Sequence, residues 1–444
     1  MPAARDRHSA LAPGVSLKET FAWANMDFAN SGYTTVVLTA VFNAYFVSSV
    51  MAGNALATLA WTAILSVSYL LVMVTAPILG AYADLRAQKK KLLVISTWGC
   101  VISTALLATV GPGMWLWAAL LLIVSNLCYA TNQDLVAAFL PELAAPDHLG
   151  RVSGYGWAWG YLGGLVALGL SLGWVGIAQS HQLSAQGVVG GTMLATALLF
   201  ALAALPALKH LRDRAVPAPG THHWGPGQWL AASWGRLVQT WQQSDTQPDL
   251  RRFLVCVTVY HAGVQTVITL AAVYAQQVMG FSMTQTIMLI LIVNITAAIG
   301  AWGFGVLQDW LSHRASLSIA LFSWLLMVLI AWQATTEGLF WLAANFAGLA
   351  MGASQSGARA AVAHLSRPGR EAETFGLWGV AVNLSAVIGP LTYGVVTWST
   401  DNDQRLAMLI TGVFFVVGLL ILMTVNFPRG RAVALQKQAL PPEI

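Results

Sequence analysis

Gly80-Ala-Tyr-Ala-Asp84, with Arg86, Lys89, Lys90 and Lys91 close behind it, returns later in the chain as Gly305-Val-Leu-Gln-Asp309, with Arg314 behind it. Both copies close a long apolar run and place an acid, then bases, at its end. A second pair of segments stands at nearly the same separation: Asn30-Ser-Gly-Tyr-Thr-Thr35-Val-Val and His261-Ala-Gly-Val-Gln-Thr266-Val-Ile. One such match is readily a coincidence. Two, in the same order and at the same kind of boundary, indicate that a large structural unit is used twice.

The unit is built for lipid. The chain has 444 residues, 57% of them hydrophobic and only 9% charged, where soluble domains carry about 25% charged residues. Apolar runs such as Leu56–Leu79, Leu92–Val110, Gly187–Leu208 and Leu406–Phe427 reach the roughly 20 residues that a helix needs to cross a ~30 Å hydrocarbon core. Backbone polar groups in lipid need internal partners, which leaves helices or closed barrels. The runs do not alternate, so they read as helices. The expected fold is an all-α membrane protein with twelve transmembrane helices at 21–50, 55–79, 92–111, 114–136, 153–176, 187–208, 252–279, 284–306, 316–334, 339–360, 374–399 and 405–427.

Charge orients these spans. Twelve spans put both termini on one side, and with that side cytoplasmic only Arg405 of the 22 Lys and Arg falls outside. The net charge of +5 does not point to nucleic acid, because the bases are scattered over short loops with no patch that could track a phosphate backbone. Cys100, Cys128 and Cys256 all fall inside spans and read as small buried apolar residues, not as disulfide or metal ligands. His222-His223 reads as solvated. No metal site, cofactor or enzymatic constellation is expected. The first apolar run, from Phe21 past Val47, is too long for the core of a cleavable leader.

The expected organisation is a six-helix half over 1–208, a cytoplasmic linker over 209–250, a second six-helix half over 251–427 and a cytoplasmic tail over 428–444. In the linker, Trp229, Leu230, Trp234, Leu237, Val238 and Trp241 recur at helical spacing, which predicts an amphipathic helix on the membrane surface. Parallel six-helix repeats related by an axis along the membrane normal are the major facilitator architecture, and the Gly-x-x-x-Asp segment with its basic loop resembles the signature of that superfamily. The resemblance implies that Asp84 and Asp309 each meet the amino end of a helix in the opposite half, near Thr374 and Ser153. A carboxylate there gains about 0.3–1 kcal/mol, more if partly buried.

Further segments resemble one branch. They are Trp23-Ala-x-x-Asp27-x-Ala-Asn30-Ser31, Phe139-Leu-Pro141-Glu142 and Gly156-Trp-Ala-Trp-Gly160-Tyr-Leu-Gly163-Gly164 in the first half, and Gly263-Val-Gln265-Thr266, Gln355 with Arg359, Gly369-Arg-Glu371-Ala-Glu373-x-Phe-Gly376 and Gly389-Pro390 in the second. Together they are similar to the "unknown major facilitator" family, which includes vacuolar amino-acid effluxers linked to autophagy. That implies transport of a small solute, with amino-acid efflux as the activity of relatives. Two positions depart from the family pattern: Tyr260-His261-Ala262-Gly263 stands where Tyr-Asn-Asp-Gly is usual, and Asn383 stands where a Lys is usual. An intramembrane acid and base are thus missing together, as they would be if they normally pair.

Major facilitator cavities are lined by spans one, four, seven and ten, with solute near the midplane. The candidate solute contacts are therefore Asn30, Tyr33, Thr34, Asn126, Tyr129, Tyr260, His261, Gln265, Thr266, Asn345, Ser354 and Gln355. Such polar groups otherwise serve helix packing. Asp27 and His261 are the candidate proton carriers, since intramembrane ionisable groups are rare and costly and imidazole exchanges protons near neutral pH. Candidate gating residues are Asp84, Arg86, Asp134, Glu142, Arg151, Asp309, Arg314, Arg359 and Arg370. The expected protein is a monomeric, proton-coupled secondary transporter in a bacterial inner membrane, with a small-molecule substrate, protons and lipid as partners. A carrier of a larger amphipathic metabolite (siderophore, peptide or muropeptide) and a lipid scramblase or membrane sensor are the competing readings.

Overall fold

The computed structural model describes residues 10–54, 56–217, 227–229, 231–235 and 247–436. Helices account for nearly all of it. They are α1 (Leu17–Tyr33), α2 (Ala57–Arg86), α3 (Lys89–Leu106), α4 (Trp115–Leu143), α5 (Leu149–Ser180), α6 (Ala185–His210), α7 (Pro248–Met279), α8 (Met283–Trp310), α9 (His313–Gln333), α10 (Glu337–Leu365), α11 (Glu371–Ser399), α12 (Gln404–Thr424) and the short α13 (Phe427–Leu435). We refer to α1–α6 as the N-terminal set and α7–α12 as the C-terminal set.

Local chemistry sets the helix ends. Ser16, Ser184, Ser312, Thr336, Asp403 and Asn426 each accept a first-turn amide. Ser282 and Gln285 form a capping box at the start of α8. The first apolar run is one span but not one regular helix: beyond Tyr33 it continues through π-helical turns at Thr34–Ala40 and Phe46–Val50.

Among the described residues, eleven helical spans are long and apolar enough to cross a membrane. The exception to the expected twelve is α10. It has 29 residues, but its buried face carries Ser354, Ser356 and Arg359 among glycines and alanines. It lies against α4, α5, α7, α8, α9 and α11. A helix so enclosed by protein needs few lipid-facing side chains. The periphery of the other helices is apolar, with Leu70, Val74, Leu198, Ile299, Phe322 and Leu420 all exposed.

A repeat not anticipated from sequence ties off each set. Arg214, after α6, donates to both carboxylate oxygens of Glu19 at the start of α1, at 2.9 and 2.7 Å. Arg429, after α12, does the same to Asp249 at the start of α7, at 2.7 and 2.7 Å. Each set is thus closed by a forked Arg–carboxylate clasp joining its first helix to the chain leaving its last.

The two sets meet along α2 with α11, α5 with α8 and α10, and α4 with α10 and α11. Residues 227–229 and 231–235 are helical. Trp229 in this segment stacks edge-on to Tyr82, with the Arg86 guanidinium 4.9 Å from its ring. Of the other linker residues expected on an amphipathic helix, Leu230, Leu237, Val238 and Trp241 lie outside the described residues, as do His222 and His223.

Candidate functional site

The seam between the sets is polar where the chain's basic loops emerge, which we call the basic end. Asp84, at the last turn of α2, accepts the amides of Ala372 (3.1 Å) and Glu373 (2.8 Å) at the start of α11. Asp309, at the last turn of α8, accepts the amides of Gly150 (2.7 Å) and Arg151 (3.0 Å) at the start of α5. The donating amides fall one or two residues before Thr374 and two or three before Ser153, because α11 begins at Glu371 and α5 at Leu149. Each carboxylate takes two orphan amides of a helix amino end, where the macrodipole also favours it. The approach needs glycine at position 80: a Cβ there would lie 2.2 Å from the Ala372 carbonyl oxygen.

Deeper in the seam, Asp27 of α1 and Arg359 of α10 form a buried ion pair. Both Asp27 oxygens accept from one guanidinium nitrogen, at 2.9 and 2.8 Å. The remaining donors go to Ser153 of α5, with Nε to its hydroxyl (3.0 Å) and the other terminal nitrogen to its carbonyl (2.8 Å). The Ser153 hydroxyl donates in turn to the Ser356 carbonyl of α10 (2.8 Å). The rings of Trp23 and Trp157 flank the guanidinium at 4.8 and 5.4 Å. One turn further along α5, Tyr161 donates to Gln355 (2.7 Å). A third contact crosses the seam at Lys89, which is fully buried, donates to Glu142 and has Glu371 of the C-terminal set at 3.8 Å.

The sequence-derived candidates are distributed unevenly around this seam. Asn30 donates to Asn132 (3.0 Å), which donates to Thr97 (2.8 Å). Tyr33 bonds Ser125 (2.8 Å) and stacks on Tyr129, and Tyr129 donates to Gln133. Asn126 donates to Ser68 (2.8 Å). These groups knit the N-terminal set together. Thr34, Thr266 and Asn345 bond carbonyls of their own helices. Ser354 accepts from Trp324 (3.2 Å), and Gln265 is half-buried. Tyr260 and His261 are buried with the phenol oxygen and imidazole Nδ1 lacking hydrogen-bond partners.

Of the gating candidates, Arg86 bonds Tyr82 (2.8 Å) and Arg314 the Val425 carbonyl, both inside their own sets. Arg151 contributes its amide and not its side chain, which is exposed. Arg370 precedes α11 and accepts the Thr374 hydroxyl through its carbonyl (2.8 Å). Asp134 is buried against α11. Ser153, Trp157, Lys89 and Glu371 carry the seam yet were not among the candidates. Lys89 stood in the basic loop and Glu371 in the branch motif, which is the signal that could have found them.

The described residues form an all-helical body with an apolar rim and a polar seam between two six-helix sets, the build of a multi-pass membrane protein of the major facilitator type. Its fold superposes on the human organic anion transporter MFSD10 with a TM-score of 0.69 at 15% identity, covering 92% of this chain and 100% of that one. A family model described as vacuole effluxer Atg22-like matches residues 51–435, and the chain belongs to that family. It is 26% identical to YxiO of Bacillus subtilis, an uncharacterized MFS-type transporter, over 96% of this chain and 98% of that protein. It is 24% identical to autophagy-related protein 22-1 of Penicillium rubens, over 83% of this chain and 76% of that one.

Proposed function

We propose that the protein is a proton-coupled secondary transporter that moves a small polar or amphipathic solute of amino-acid type by alternating access. In this reading twelve spans form two rigid halves, 1–208 and 251–427, joined by the 209–250 linker. The basic end faces the cytoplasm because loops rich in Lys and Arg stay on that side. The membrane is then a bacterial inner membrane, and the present arrangement is closed towards the cytoplasm.

The observation that carries the reading is the Asp27–Arg359 pair. It joins the two sets through buried charges, so it must break each time they part at the basic end. A buried pair that loses one partner is destabilised by about 3–5 kcal/mol. Adding a proton to Asp27 removes its charge and loosens this lock. His261, buried without a partner at Nδ1, is the second group on which a proton can act. A ligand shifts such an equilibrium only by binding the two states unequally, and a charge-breaking proton does so strongly. The amino-acid class is supported by the chain's place among Atg22-like vacuole effluxers.

The test uses purified protein and a panel of amino acids. Those that raise the melting temperature are then followed as radiolabelled solutes in proteoliposomes, with and without a pH gradient. Gradient-driven accumulation is expected, and Asp27→Asn or His261→Ala should reduce it at least tenfold while exchange without a gradient persists. Accumulation indifferent to the gradient and to both substitutions overturns proton coupling.

A further inference from the structure

We propose that Asp134 of α4 carries the coupling proton, holding it while the basic end is closed and releasing it when that end opens. The proposal rests on the proton-coupled reading above but not on Asp27 being the carrier.

Asp134 is buried, its Oδ2 has no hydrogen-bond partner, and no ion pair reaches it among the described residues. What faces it across the seam is Gly379 of α11, so close that a Cβ there would lie 2.3 Å from Oδ2 and 2.8 Å from Oδ1. The small gap beside it is lined by Ala76, Leu79, Gly80, Thr131, Leu135 and Ala372. An ionised carboxylate in such a place has no counter-charge and, at Oδ2, no donor among the described residues, so burial penalises its charged form. The neutral acid escapes that penalty.

The charged groups on the elements around α4 are engaged elsewhere. Asp27 of α1 is held by Arg359 of α10, Asp84 of α2 by the amides of α11, and Lys89 of α3 by Glu142 and Glu371. Arg151 of α5 is exposed. Glu373 of α11 gives its amide to Asp84. On α4 itself Tyr129 is close enough to feel Asp134, and Tyr69 and Cys100 lie near Tyr129.

Gly379 belongs to the C-terminal set and Asp134 to the N-terminal set. Parting them at the basic end replaces glycine by water at the carboxyl, which favours the ionised form. Proton binding and closure are therefore linked, since the proton prefers the closed state. The sign is opposite to that at Asp27, where a proton removes a lock and favours opening. The same closed state thus holds one acid ionised and the other neutral.

The full-length protein, lacking Cys100, Cys128 and Cys256, would carry spin labels at Lys91→Cys and Pro368→Cys, which flank the seam at the basic end. The distance between them would be followed by pulsed electron resonance through the neutral pH range. Lowering the pH should raise the closed fraction. Asp134→Asn, which mimics the neutral acid, should stay closed at every pH. Asp134→Ser, a smaller neutral side chain, should behave alike and serves if the first variant folds poorly. The proposal is overturned if either variant keeps the wild-type pH response, or if wild type does not respond. A wild type that opens as the pH falls, losing that response in Asp27→Asn, overturns it too but leaves proton coupling standing.

Discussion

Arg359 places all three guanidinium nitrogens against oxygens, one bridging both Asp27 oxygens and two meeting the hydroxyl and carbonyl of Ser153. That completeness is what makes a charge tolerable in the middle of a helix bundle. Space for it comes from Gly156, where a Cβ would lie 2.4 Å from Asp27 and 2.7 Å from Arg359. Both charges stood out in the sequence, but as separate candidates, one a proton carrier and one a gate. Their pairing was not legible because the two are 332 residues apart and a single sequence carries no covariation. The expected consequence is specific. Arg359→Ala strands the Asp27 carboxylate and should disfavour the closed basic end by about 3–5 kcal/mol, while Asp27→Leu with Arg359→Met should restore most of it. Reactivity of Ser356→Cys, otherwise buried at the seam, towards a small maleimide reports the opening. Equal reactivity in the single and double variants would mean that the pair does not hold the seam.

At the scale of elements, the helices were largely legible, and one of them is less apolar than the rest. Apolar runs locate eleven spans, because lipid contact demands them. The span expected at 339–360 is the least apolar of the twelve, since α10 replaces lipid-facing side chains with Gly, Ala and Ser packed on neighbouring helices. The Glu19–Arg214 and Asp249–Arg429 clasps escaped notice because each spans a whole set in sequence, and the two acids sit in dissimilar local contexts. The crossing of α10 can be tested directly. Thr335 and Pro368 are exposed just outside its two ends. In a cysteine-free background, Thr335→Cys and Pro368→Cys should be labelled by an impermeant maleimide from opposite faces of the membrane. Labelling from one face alone would leave eleven spans and divide the termini between the two sides.

For the whole molecule, the arrangement of contacts matters more than their number. The hydrogen bonds described between the two sets, from Asp84, Asp309, Arg359, Ser153 and Tyr161, all come from the basic-end portions of their helices or from just above them. Inside each set, by contrast, polar ties reach the far end, as where Tyr45 donates to Val110 (2.9 Å) and Tyr274 to Ala331 (2.9 Å). A molecule held together in this way can hinge about its middle without disturbing either set. Gly80 provides the cleanest lever on that motion. The atoms a Cβ at position 80 would strike are the Ala372 carbonyl and the Glu373 Cα, at 2.2 and 3.0 Å. Both are backbone and both belong to the other set, so no rotamer change can relieve the clash; only separation of the sets can. Gly80→Ala should therefore leave each set folded, with a melting temperature close to wild type, yet shift the Lys91–Pro368 label distance towards the open value at every pH. Gly305→Ala, whose Cβ would meet the Gly150 carbonyl at 2.6 Å, should do the same from the other side of the seam. A variant that melts early without opening would mean that these glycines serve the packing of the fold and not the closing of the gate.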